Sequence, residues 1–266
     1  MIRIPEWLTA CFEHREIIVQ LTKRDLVAQY KSSRLGMMWA VIEPFSFMLL
    51  IAIVLDVGLQ AGSHLNVPFV AFLLSGMSVY LVAAGVLEKG ARLIIQYAFL
   101  LNKVNFRVSL LPLVAILSNT INHFLTLLPV VIILLYFKIF PNWFWFQTLY
   151  YLVCLLILLL GCTWFVSALC VIAPDFVNVV GIFTRFLLYL SPVFWDISVF
   201  PEWSHLIIMS NPFYYIIAGY RDSLLFHVGF WHHPWLTLYF WLFTGAMLVV
   251  GALVFRKFKP VFSDYV

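Results

Sequence analysis

The chain has 266 residues, of which 64% are hydrophobic, 18% aromatic and only 11% charged, with a mean hydropathy of +1.01. Soluble domains run at roughly 45–50% apolar and about 25% charged, so this composition excludes a soluble enzyme or binding module and points to a chain that crosses a bilayer several times. The net charge of +4 has a topological explanation, given below, and does not call for nucleic acid.

Residues 1–36 carry six basic and four acidic side chains and no clean apolar core of a signal peptide. Within them 9–35 mix charge with Ile17, Ile18, Leu21, Leu26 and Val27, which reads as an amphipathic helix too polar to span. Such a helix lies along the membrane surface or docks a partner protein, and composition does not choose between these. Six runs are long and apolar enough to span: 37–60, 68–87, 112–137, 148–172, 176–195 and 235–255. The fourth and fifth are joined only by Ala173–Asp175, a tight turn. Between the second and third, 88–111 forms the longest connection on the N-terminal side. Its own apolar stretch, Leu93 to Leu101, reads as a short helix presented to a partner.

Thirteen of the 16 Lys and Arg residues fall on the side that holds both termini if six spans are counted. The excess of Lys and Arg marks that side as cytoplasmic. The segment 196–234 is then external. It is too apolar for a solvated loop and too interrupted by Pro201 and Pro212 for one span. Two short re-entrant helices fit it, the second starting at Asn211 as N-cap with Pro212 in the first helical position. Arg221 and Asp222 follow on that helix, about 100° apart. They read as an anchor where the helix returns to the aqueous boundary, or as a gating contact.

Ionisable residues inside spans are costly and carry functional hypotheses. Glu43, followed by Pro44, and Asp56 lie in the first span. Arg185 falls about 14 Å into the fifth, where it either pairs with a carboxylate or faces an aqueous path that admits an anion. Tyr189, Phe194 and Trp195 follow it outward, as packing residues or as a stacking surface for sugar rings. The four cysteines lack metal or redox spacing, and His232-His233 reads as a solvated turn. No Gly is followed by Lys, so the phosphate-binding P-loop is absent, as are zinc-protease and nucleophile-elbow motifs. No repeat relates the two halves of the chain, unlike many secondary transporters.

Three ordered stretches, 21–45 (LTKRDLVAQYKSSRLGMMWAVIEPF), 102–113 (NKVNFRVSLLPL) and 189–198 with 211–225 (YLSPVFWDIS, NPFYYIIAGYRDSLL), resemble the permease subunits of ABC-2 type exporters that move lipid-linked cell-surface polymers. Asn105-Phe106-Arg107 departs from the family pattern, where Phe-Pro is expected. The pattern is most similar to wall-teichoic-acid permeases of Gram-positive bacteria, and O-antigen and capsule permeases share much of it. The resemblance implies an all-α membrane protein of the bacterial plasma or inner membrane. Its parts are an interface helix (1–36), a six-span domain (37–259) with cytoplasmic coupling region 88–111 and external re-entrant gate helices in 196–234, and a cytoplasmic tail (260–266). It implies a homodimer docked on two copies of an ABC ATP-binding subunit, in contact with membrane lipids and without nucleic acid. It implies no cofactor and no ATPase activity in this chain, with ATP and Mg on the partner. The implied substrate path includes Trp39, Glu43, Arg185, Tyr189, Phe194 and Trp195. The implied coupling surface is Gln96, Tyr97, Asn102, Lys103, Phe106 and Arg107. The implied external gate is Asn211, Pro212, Tyr215, Arg221 and Asp222.

Overall fold

The computed structural model describes residues 4–31, 33–58, 60, 66–98 and 107–262. Among them are ten α-helices and no strand: α1 Ile4–Glu13, α2 Arg15–Tyr30, α3 Trp39–Ile53, α4 Phe69–Gln96, α5 Leu111–Tyr136, α6 Gln147–Ile172, α7 Phe176–Leu190, α8 Glu202–Met209, α9 Pro212–Arg221 and α10 Pro234–Phe258. The apolar runs are helical because a chain in lipid must satisfy its backbone within each segment. Five segments are long and apolar enough to cross a bilayer: Gly36–Gly58, Phe69–Gln96, Val108–Tyr136, Trp143–Ile172 and Pro234–Val261. The remaining expected span is α7, whose 15 residues reach about 22 Å against a core of about 30 Å.

α4 is the centre of the bundle and packs against α3, α5, α6, α7 and α9. Its middle is buried almost all round, which explains a hydrophobic run without a polar stripe. α6 and α10 form the closest helix pair. A Cβ added at Gly161 would lie 2.8 Å from the Leu248 amide nitrogen and one at Gly251 would strike the Gly161 carbonyl, so both positions need glycine. A second, smaller core gathers α1, α2, the end of α4, the start of α5 and the ends of α6 and α10. There the indole N–H groups of Trp7 and Trp164 both donate to the Ser109 carbonyl, at 3.3 and 3.0 Å. This is the basic end of the bundle. The opposite end is closed by α8 and α9.

Three expectations change. The N-terminal helix is two helices broken at His14. In α2 the buried residues Ile18, Leu21, Thr22, Asp25 and Leu26 recur at helical spacing and face α5, so that stripe meets protein rather than headgroups. The supposed coupling loop begins later than expected. Residues 88–96 contain no proline, Gly90 is packed so closely that a Cβ there would lie 2.7 Å from Thr163 Cγ2, and Leu93 and Ile94 are buried, so the helix continues to Gln96. The expected short helix at Leu93–Leu101 is therefore partly the end of α4, and its remainder lies outside the described residues. The expected pair of short helices in 196–234 is present as α8 and α9.

Candidate functional site

Several charged side chains gather between α4 and α7. Gly85, Glu88, Lys89, Arg92 and Gln96 follow helical spacing on one side of α4, and Val177, Asn178, Gly181, Ile182 and Arg185 do so on α7. With Asn119 of α5 they line a cavity of about 590 Å³. Lys89 is held by Asp25 of α2 at 2.6 Å and donates to the Ser118 hydroxyl at 2.9 Å. The Thr184 hydroxyl donates to Glu88 at 2.8 Å. Arg185 is exposed to the cavity, and among the described residues neither it nor Arg92 has a carboxylate within ion-pair distance. Of the two roles open to Arg185, the aqueous-path one fits this geometry.

A smaller cavity of about 160 Å³ adjoins the first. It is lined by Tyr30, Trp39, Glu43, Ser78, Asn122, His123 and Thr126 among others, and Asn119 borders both. Trp39, Glu43 and Arg185 therefore stand around two cavities that share one wall residue. Glu43 is exposed, and the Trp39 indole donates to Ser33 Oγ at 2.7 Å. Tyr189, Phe194 and Trp195 sit higher, at the end of α7. The Tyr189 and Phe194 ring centroids are 5.6 Å apart, and the Trp195 indole donates to the Tyr189 carbonyl at 3.1 Å. These three form one aromatic cluster without lining either cavity.

Sequence reasoning missed Glu88, Lys89, Arg92, Asn119 and Asn178. The signal was available for α4, since positions 85, 88, 92 and 96 fall on one helical face, but 88–92 read as a loop and Leu93–Leu101 as a separate short helix.

Among the residues expected to couple to a partner, Gln96 lies at the cavity. Tyr97 is buried, with the Arg24 guanidinium 5.2 Å from its ring centroid, and so reaches a partner only through α2. Arg107 is exposed and donates to the Glu6 carbonyl at 3.1 Å. Asn102, Lys103 and Phe106 lie outside the described residues.

At the opposite end, Asn211 caps α9 by accepting from the Phe213 N–H at 3.0 Å, and its amide donates to Ser191 at 2.9 Å. Pro212 takes the first helical position. Tyr215 is buried among Tyr150, Thr237 and Phe240, with hydroxyl contacts of 3.1 and 3.0 Å and a stacked ring at 4.8 Å. Arg221 does not reach the aqueous boundary. It is 4% exposed, lies over the Phe72 ring at 3.4 Å, and donates to the carbonyls of Phe72 at 3.2 Å and Val193 at 2.9 Å. An arginine has the length and the forked donors to tie three elements in this way. Asp222 opens a π-helical turn and lies 3.5 Å from His233. Burial pushes its carboxyl up to about 6, against the opposing pull of His233, Arg221 and His232.

The arrangement is a polar, net-cationic cavity inside an apolar bundle, with the braced helix α9 at the far end of α4. The sequence model of the ABC-2 type transporter family matches residues 16–225. The chain is 26% identical over 253 residues, 94% of each chain, to an O-antigen export system permease protein RfbA of Klebsiella pneumoniae. It is 24% identical over 232 residues to the protein of the same name from Myxococcus xanthus, covering 85% of this chain and 86% of that one.

Proposed function

The chain belongs to the ABC-2 type transporter family, and from that premise we propose that it is the membrane subunit of an ATP-driven exporter of lipid-linked polysaccharide. The observation that carries this reading is the end-to-end similarity to O-antigen export permeases, which spans 94% of both chains. That similarity supports an O-antigen-like substrate over wall teichoic acid, the polymer favoured by the sequence resemblance.

The basic end faces the cytoplasm, where Lys and Arg collect in bacterial membrane proteins. The chain has no phosphate-binding loop of its own, so ATP and Mg act on a separate subunit docked at that end. Two copies face each other across α3 and α7. The outward side chains there include Phe47, Leu50 and Ile53 on α3, and Val179, Phe183 and Phe186 on α7; this apolar surface supports the pairing. ATP binding moves the basic end, and Lys89 and Asp25 carry the movement from α2 to α4 beside the cavity. The polymer then passes Trp39, Glu43 and Arg185, and α8 and α9 yield at the outer end.

The test is to deplete the protein in its host, isolate lipid-linked polymer trapped in the cytoplasm and measure its phosphorus-to-sugar ratio. A trapped, phosphate-poor polysaccharide is the expected result. A phosphate-rich polymer would return the substrate to the teichoic acid class. Absence of any trapped polymer would overturn polymer export.

A further inference from the structure

The connection from α9 to α10 is tied down by two kinds of contact. One kind is neutral. Gln147, at the start of α6, donates its amide to Ser223 Oγ at 3.1 Å and to the Val228 carbonyl at 3.0 Å. Its side-chain carbonyl accepts from the Phe230 N–H at 2.9 Å. An amide neither gains nor loses a proton near neutrality. The other kind titrates. Asp222, where α9 passes into its π-helical turn, lies 3.5 Å from Nε2 of His233, the residue before α10.

Both side chains line a cavity of about 200 Å³, and Asp196 of the turn after α7 lines it too. Asp222 is 18% exposed and His233 48%, so the carboxylate is drawn into the protein while the imidazole meets water. Arg221 and His232 also pull on the carboxylate. The Arg221 guanidinium, however, is occupied by the carbonyls of Phe72 and Val193. The other titratable neighbours are neutral phenols, Tyr151 of α6 and Tyr214 of α9. His205 of α8 contacts the Phe200 carbonyl instead, and His227 lies near the Phe144 ring. Among the described residues, His233 alone stands within ion-pair distance of Asp222. A histidine is also the side chain whose charge changes most readily near neutral pH.

We propose that Asp222 and His233 form a proton-operated latch that joins the end of α9 to the start of α10, closed while the pair holds a proton and released when the proton is lost. With one proton the two side chains carry no net charge between them. Without it, a carboxylate faces a neutral imidazole beside a cavity wall that already carries Asp196. Arg221 keeps α9 on α4 in either state, so the release is confined to the link between α9 and α10. On the orientation proposed above this end faces the exterior, and the latch reads external pH. Burial raises the Asp222 carboxyl from the ordinary 3.8 to about 6 in the closed cap. The closed state therefore binds the proton more tightly than the open one. Its stabilisation is complete below about pH 4 and is lost as pH rises through about 6.

The test is hydrogen–deuterium exchange of the full chain in lipid nanodiscs, without nucleotide or polymer, corrected for the intrinsic exchange rate. Protection of segment 222–236 is expected to fall about tenfold from about pH 5 to about pH 8, the effect of one proton lost near pH 6. Protection of 213–220 should not change, because an arginine stays charged over this range. Asp222→Asn should hold the segment near its acid-side protection throughout. His233→Gln removes the pull of the imidazole, so the midpoint of the fall should move to higher pH. A purely structural contact would not produce that shift, and this variant carries the test if Asp222→Asn does not fold. A flat profile in the wild type, an undiminished slope in Asp222→Asn or an unmoved midpoint in His233→Gln would overturn the latch. An equal fall across 213–220 would overturn it as well, since the loss would then belong to the whole cap. The result does not depend on what the chain exports.

Discussion

Arg221 shows how far a single residue can be read. Its presence beside Asp222 in an apolar stretch is conspicuous in the sequence, and a structural anchor was one of its two expected roles. Its surroundings were not legible, because the groups that receive the guanidinium are main-chain carbonyls at Phe72 and Val193, 149 and 28 residues away. A carbonyl leaves no trace in residue type. The two bonds and the contact with the Phe72 ring tie α9 to α4 and to the turn after α7. A lysine keeps the charge but has no fork to reach two carbonyls. Arg221→Lys is therefore expected to cost about 2–3 kcal/mol, the scale of buried charge-assisted bonds left partly unmade. The loss should appear as a lower midpoint of thermal unfolding in detergent, with normal association with the ATP-binding subunit. An unchanged midpoint would remove the clamp.

At the scale of elements, the end of α4 is the instructive case. Glu88 and Lys89 look like loop residues when only their neighbours are considered, and they gave the coupling region its expected start. They lie within α4, where Lys89 meets a buried counter-ion, Asp25, 64 residues earlier on α2, at 2.6 Å. By contrast, the start of α9 was legible in full, since Asn-Pro is a local signal whose cap needs no distant partner. Asp25 and Lys89 are the mechanical joint between the surface helix and the cavity wall. Removing one partner of such a pair strands the other. Lys89→Met and Asp25→Asn are each expected to cost about 3 kcal/mol. The double variant should lose markedly less than the sum, as measured by survival of the monodisperse fraction after heating. Additive losses would mean that the two residues act apart.

For the whole molecule, the six apolar runs, the turn at Ala173–Asp175 and the all-helical class were legible because bilayer thickness imposes them on composition. The parity of the crossings is harder, since it turns on α7. At about 22 Å that helix is short of the hydrocarbon core by itself. Two arguments favour a full crossing. The turn from Ser191 to Trp195 extends the segment, and its Trp and Tyr neighbours suit an interface. The second argument is charge. If α7 crosses, Arg256, Lys257 and Lys259 at the end of α10 share a side with the basic residues of α2. If it returns instead, they are exported against the bias that otherwise holds thirteen of 16 such residues on one side. A short helix next to a polar cavity is also the place where a bilayer thins most readily, because mismatch costs only fractions of a kcal/mol per Å. Fluorescent-protein fusions at both termini are accordingly expected to be bright, and alkaline phosphatase fused after Val228 to be active. Phosphatase activity at the C-terminus, with none after Val228, would make α7 a re-entrant element.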